Sequence, residues 1–240
     1  MNLQTAKSLI KEGNKVIGKG KQMNKYLSFL DDLVILKQPK QYIPLCQAKT
    51  ATDFLNEQLL LNCLKWSALF KTFNALRNMK NKEISDWKKI NKIYQIDLVE
   101  MAKSHGYLVT AMYAHRALLK ARIDLDKKTN THVTNLFLLY CIDSLLRDGN
   151  SISVSGYFSP KQARMLNEAK QILLLELRPQ LLNLVESFQL DDNFLNTTIG
   201  NYDGNVYERM LDYSRKSKFN HQDVIPGIKE YLQPQFKAKL

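Results

Sequence analysis

An all-α fold, an antiparallel helical bundle, is what this sequence predicts. The 240 residues contain only 9 Gly and 6 Pro, too few for the frequent turns of a sandwich or barrel. Hydrophobic residues make up 45% of the chain, enough for a core of one large or two small domains. In the longest segments they recur every three or four residues, the spacing of one helix face.

The first helix is expected over 3–17, with Leu3, Ala6, Leu9 and Ile10 on one side. Gly13, Gly18 and Gly20 are expected to loosen the chain after it. A linker with two prolines, Pro39 and Pro44, suggests the main boundary near 45. A second helix is expected over 52–80, carrying Phe54, Leu55, Leu59, Cys63, Trp66 and Phe70. A third is expected over 84–120. Within it Leu98, Met101, His105, Leu108, Met112, His115 and Leu119 alternate by three and four residues, a buried seam holding two histidines.

The next helix is expected over 132–147, stopping at Asp148-Gly149-Asn150. Residues 151–155 alternate in polarity but are too few for a strand and read as a loop. Ser159-Pro160-Lys161-Gln162 then signals a helix start: a capping serine, a proline at the first turn and a reciprocating glutamine. Pro179 is expected to break that helix. Further on, Asn205 is placed to cap a helix and Glu208 to reciprocate. A short last helix is expected before Pro234.

Charge and motifs exclude several functions. Lys and Arg number 35 against 23 Asp and Glu, a net of +12. The lysines are interspersed with Glu12, Glu83 and Asp86, and no recognition helix, RNA-binding motif or zinc finger accompanies them, so nucleic acid is not the expected partner. No apolar run reaches the length of a membrane span. Cys46, Cys63 and Cys141 are odd in number, lack metal-ligand spacing and read as free thiols. No glycine-rich phosphate loop, GxSxG elbow or HExxH is present, and no metal site is expected. His105 and His115 are the residues closest to acid–base chemistry or ligand contact, and on an apolar seam each reads first as a hydrogen-bonded core histidine.

Three segments carry more information. They are Arg178-Pro179 with Leu184-Val185-Glu186-Ser187-Phe188, then residues 199–208 (Ile-Gly-Asn-Tyr-Asp-Gly-Asn-Val-Tyr-Glu), and the terminal Ala238-Lys239-Leu240. In this order they resemble the C-terminal part of peroxisomal acyl-CoA oxidases. The opening Leu3-Gln4-Thr5-Ala6-Lys7 is similar to the helix that follows the active-site loop in that family.

The resemblance implies a FAD enzyme of fatty-acid β-oxidation that converts acyl-CoA and O₂ to trans-2-enoyl-CoA and H₂O₂, with a glutamate as base. It implies that 1–45 end the first C-terminal helical domain, that 46–233 form the second, and that 234–240 are a tail. Ala238, Lys239 and Leu240 then read as a peroxisomal targeting signal for an import receptor. By the resemblance the chain begins just after the catalytic glutamate, so no residue here inherits the base and the isolated chain is expected to be inactive. Its expected roles are packing, targeting and dimerisation, either with itself or with a full-length oxidase as a non-catalytic helical partner. His105, Asp203 and Asn205 are the ligand-facing candidates, for the nucleotide portion of a ligand.

Overall fold

A computed structural model describes residues 2–20, 22–23, 27–37, 44–80, 84–148, 151–195, 197–201, 203–222, 224 and 227–237. The regular structure among these residues is all helical, with no strand. The chain divides into two compact units, Met1–Gln180 and Leu181–Leu240.

The first unit is built on five long helices: α1 (Asn2–Lys19), α2 (Glu57–Asn78), α4 (Gln95–Ala121), α5 (Lys127–Arg147) and α7 (Pro160–Leu177). Two short turns, α3 (Asp86–Lys88) and α6 (Ser151–Val154), lie between them. Helix α2 is central and packs against α1, α4 and α5, while α7 covers α5. Phe54, Leu60, Leu64, Leu69, Leu98, Met101 and Ile142 are among the fully enclosed side chains. Burial of such a side chain is worth about 1.5–3 kcal/mol.

Local chemistry explains the ends. Asn56 caps α2 by accepting from the Leu59 amide at 2.9 Å, and Asp126 caps α5 through the Lys128 and Thr129 amides. The Ser159–Gln162 capping box forms as its spacing predicts. Gly20 closes α1 in the left-handed region, φ 60°, with its amide on the Val16 carbonyl at 3.1 Å. Gly13 and Gly18 therefore lie inside α1 and do not loosen it. At Gly13 the absent side chain lets α1 approach Leu76 and Leu33; a Cβ there would stand 2.8 Å from Leu76.

Several expectations need correction. The helix expected over 84–120 is interrupted: α3 runs into a wide turn, Lys89–Ile93, and α4 begins only at Gln95. The cause is tertiary, because the buried Lys89 ammonium reaches the Met79 carbonyl at 3.1 Å and Asp86 at 3.0 Å. Residues 51–55 are a separate 3₁₀ turn ahead of α2. The stretch read as a loop contains the helical turn α6. Leu119 is half exposed whereas Leu118 is buried. A straight helix drifts about 20° per heptad from a 3.5 repeat, so three heptads carry Leu119 off the seam. Gly149 and Asn150 lie outside the described residues, as do 38–43 of the expected linker.

The second unit holds α8 (Leu181–Glu186), α9 (Asp192–Leu195), α10 (Val206–Lys216) and α11 (Gln233–Lys237). Pro179 sits in a 3₁₀ turn, Arg178–Gln180, where α7 ends, as its ring requires. A short helical turn, Ile228–Leu232, precedes Pro234 as expected, but the helix does not stop there: it runs on into α11, whose second position Pro234 occupies. Asn205 makes no side-chain cap. Its amide instead donates to Asp203 Oδ1 at 3.2 Å, and Asp203 also holds Arg209. None of the described residues of this unit is buried.

Candidate functional site

Two polar nodes cross-link the first unit. Asp148 ends α5, with its amide on the Ser144 carbonyl. Its carboxylate accepts from Ser67 on α2, Ser104 on α4 and Ser151 on α6, and from the Lys71 ammonium at 2.6 Å. Lys71 also donates to the Asp148 main-chain oxygen at 3.1 Å. Ser67, Ser104 and Asp148 are all buried. Four donors on one enclosed carboxylate answer its desolvation and leave it no role as a base. An open hollow of about 420 Å³ beside the node is lined by Lys71, Asn74, Arg77, Asp97 and Glu100.

The second node is Glu57, at the first position of α2. One carboxylate oxygen lies 2.8 Å from His115 Nε2 and the other accepts from Arg122, which reaches on to Thr134 at 3.2 Å. His115 leans on Phe137, with centroids 5.6 Å apart. The node thus ties α2, α4 and α5. Asp143 makes a third link, accepting from Arg147 at 2.6 Å and from Lys170 of α7 at 2.8 Å, and both cations hold its carboxyl below the usual range.

An apolar groove of about 840 Å³ runs between α4, α5 and α7, with Ala114, Ala117 and Ala121 as one wall and Leu136, Phe137 and Leu174 facing them. The small residues of α4 leave this space open.

His105 stands in the first unit, its ring stacked on Phe29 at 5.4 Å and its Nδ1 enclosed without a hydrogen-bond partner among the described residues. Burial lowers its pKa from 6.5. Asp203 and Asn205 belong to the second unit and share the exposed turn held by Arg209. Ala238, Lys239 and Leu240 lie outside the described residues. No group of side chains suited to a metal ion occurs among the described residues. No described helix is long and apolar enough to cross a membrane.

Cys46, Cys63 and Cys141 are free thiols, as the sequence suggested, and all three are buried. Cys46 precedes α2 and its thiol takes hydrogen bonds from Cys63 and the Ala48 amide, which bring its pKa from 9.0 to about 7. Complete burial pushes Cys63 well up, and burial raises Cys141 to about 12.

The family model described as Acyl-CoA oxidase matches residues 56–237. The chain belongs to the acyl-CoA oxidase family. The koala (Phascolarctos cinereus) peroxisomal acyl-coenzyme A oxidase 1 is 29% identical over 242 residues, covering 98% of this chain and 35% of the relative. The solved structure of Arabidopsis thaliana acyl-CoA oxidase 1 matches all of this chain and 35% of that protein, at 26% identity and a TM-score of 0.78. Acyl-CoA oxidase-1 of Caenorhabditis elegans, solved with FAD and ATP, shares the fold at a TM-score of 0.74 and 21% identity, over 99% of this chain and 34% of that one. The chain therefore spans about a third of the length of these relatives. Within this chain, the nodes at Asp148 and Glu57 tie the helices of the first unit to one another.

Proposed function

We propose that this chain is the C-terminal helical part of a FAD-dependent peroxisomal acyl-CoA oxidase. That enzyme oxidises acyl-CoA to trans-2-enoyl-CoA with O₂ as acceptor and H₂O₂ as product, the first step of peroxisomal β-oxidation. This part serves packing, dimerisation and, through Ala238-Lys239-Leu240, delivery to the peroxisome. The observation that carries the reading is the match of the whole chain to one third of Arabidopsis acyl-CoA oxidase 1.

The polar groups described above support a scaffold role, since Asp148 and Glu57 are occupied with helix contacts. Flavin does not fit these residues alone. The left-handed glycines Gly20, Gly156, Gly204 and Gly227 sit at isolated turns, and no strand-to-helix glycine turn for a pyrophosphate occurs among the described residues. FAD and acyl-CoA would be held chiefly by other parts of the oxidase. Of the ligand-facing candidates, Asp203 and Asn205 are exposed and suit a contact to a nucleotide, whereas the ring of His105 is taken up by Phe29.

The second unit favours pairing, either with a second copy or with a full-length oxidase. Its Leu182, Phe188, Phe194, Ile199, Tyr207 and Phe236 are all more than two-thirds exposed, an apolar surface that calls for cover.

Grafting the chain in place of the matching third of Arabidopsis acyl-CoA oxidase 1 tests the reading. The chimaera is expected to keep its flavin absorbance and acyl-CoA-dependent H₂O₂ release, with neither found for the 240-residue chain alone. A soluble chimaera that has lost its flavin, or turnover by the chain alone, would refute it. A fluorescent protein carrying residues 234–240 at its end is expected in peroxisomes and, without the last three, in the cytosol.

A further inference from the structure

We propose that the stretch from Trp87 to Ile96 is a seat for an anionic lipid bilayer, on which the chain rests without crossing it. Three large apolar side chains stand out from this stretch: Trp87 is 63% exposed, Ile93 44% and Ile96 78%. Single exposed apolar residues are ordinary, but three on one side of one short segment are not.

The opposite side of the same stretch is fixed to the core. Lys89 is buried, with its ammonium on the Met79 carbonyl and Asp86, and Ile90 and Tyr94 pack on the core ahead of the enclosed Leu98. The wide turn is closed by the Tyr94 amide on the Lys89 carbonyl at 2.8 Å and by Asn91 Nδ2 on the Trp87 carbonyl at 2.9 Å. With Lys89, Ile90, Tyr94 and Leu98 turned inward, Trp87, Lys88, Lys92, Ile93 and Ile96 are left on the outer side. A surface helix keeps its apolar residues on the inner face, whereas this segment carries them on both.

The charges decide what covers it. Lys88 and Lys92 are exposed within the stretch and Lys80 just before it, and the Lys92 ammonium stands 5.5 Å from the centroid of the Trp87 ring. Asp86 is paired with Lys89, and Asp97 is exposed in the first turn of α4. Over residues 80–97 five lysines face Glu83, Asp86 and Asp97, so the segment is cationic as well as apolar. Tryptophan settles where headgroups meet acyl chains, and lysine stems lie along that boundary while their ammonium groups reach the phosphates. Isoleucine adds apolar area below the headgroups, and the lysines draw the segment to an anionic surface. No described helix can cross a membrane, so the contact is peripheral.

The test uses the full chain and vesicles of phosphatidylcholine, with and without phosphatidylserine. Its two tryptophans make the readout local: Trp66 is buried and stacked on Tyr157, so a change in emission reports on Trp87. The emission is expected to move to shorter wavelength with the phosphatidylserine vesicles, to stay in place with phosphatidylcholine alone, and to return when salt is added. Acyl chains brominated close to the headgroup are expected to quench it. Lys88→Gln and Lys92→Gln are each expected to weaken binding about fivefold. Trp87→Ser is expected to sediment less with the vesicles while keeping its circular dichroism, since the side chain lies outside the core. Trp87 emission that stays put while the chain sediments with vesicles would assign the contact to another surface. Equal binding to both kinds of vesicle would remove the charge match, and a shift that follows chain concentration without lipid would make a second copy the cover. Each of these results overturns the proposal, and none bears on the oxidase reading, which the chimaera tests separately.

Discussion

The Lys71 ammonium lies 2.6 Å from Asp148 Oδ1 and 3.1 Å from the Asp148 main-chain oxygen, so one side chain on α2 holds both the charge and the backbone end of α5. Breaking such a pair from one side leaves the other charge enclosed and unanswered, which costs more than the pair itself contributes. Asp148→Ala is therefore expected to destabilise the chain by about 3 kcal/mol or more. Lys71→Met is expected to cost clearly less, since Asp148 keeps its three serine donors. Urea unfolding of both variants checks the order; equal losses would mean that the lysine, not the serines, carries the node.

The helix content and the capping box at Ser159 were legible because they depend on neighbours within four residues. The Asp148 node was not. Three of its four donors come from 44, 77 and 81 positions away, and each serine reads locally as an ordinary polar residue. The same holds for Glu57, which meets His115 and Arg122 across 58 and 65 residues. The break before α4 was hidden because Lys89, a good helix former, is turned by the Met79 carbonyl of another segment.

Gly13 and Gly18 lie in one helix and should respond in opposite ways to alanine. A Cβ at Gly18 meets nothing within 4 Å, so Gly18→Ala is expected to gain the usual helix preference, about 0.5–1 kcal/mol. At Gly13 the same gain meets Leu76 at 2.8 Å and Leu33 at 3.4 Å, both enclosed in the core. Overpacking costs about 1–3 kcal/mol, so Gly13→Ala is expected to lose about 1 kcal/mol net. Thermal melts would contradict this if both variants shifted upward together, because α1 would then not approach α2 as closely as the structure has it.

His105 makes stability depend on pH below neutrality. Burial against Phe29 disfavours its protonated form, so its folded pKa lies below the ordinary 6.5. Above that value the ring is neutral in both folded and unfolded chains and contributes no pH dependence. As pH falls below 6.5 the unfolded chain binds the proton first, so stability is lost until the folded ring is protonated too. His105→Gln cannot take up that proton. The difference in unfolding free energy between the natural chain and this variant is expected to be constant above pH 7 and to move in the variant's favour from 6.5 downward. Measuring both by denaturant titration across this range separates His105 from the other histidines, which the two chains share; parallel curves would place His105 in water rather than against Phe29.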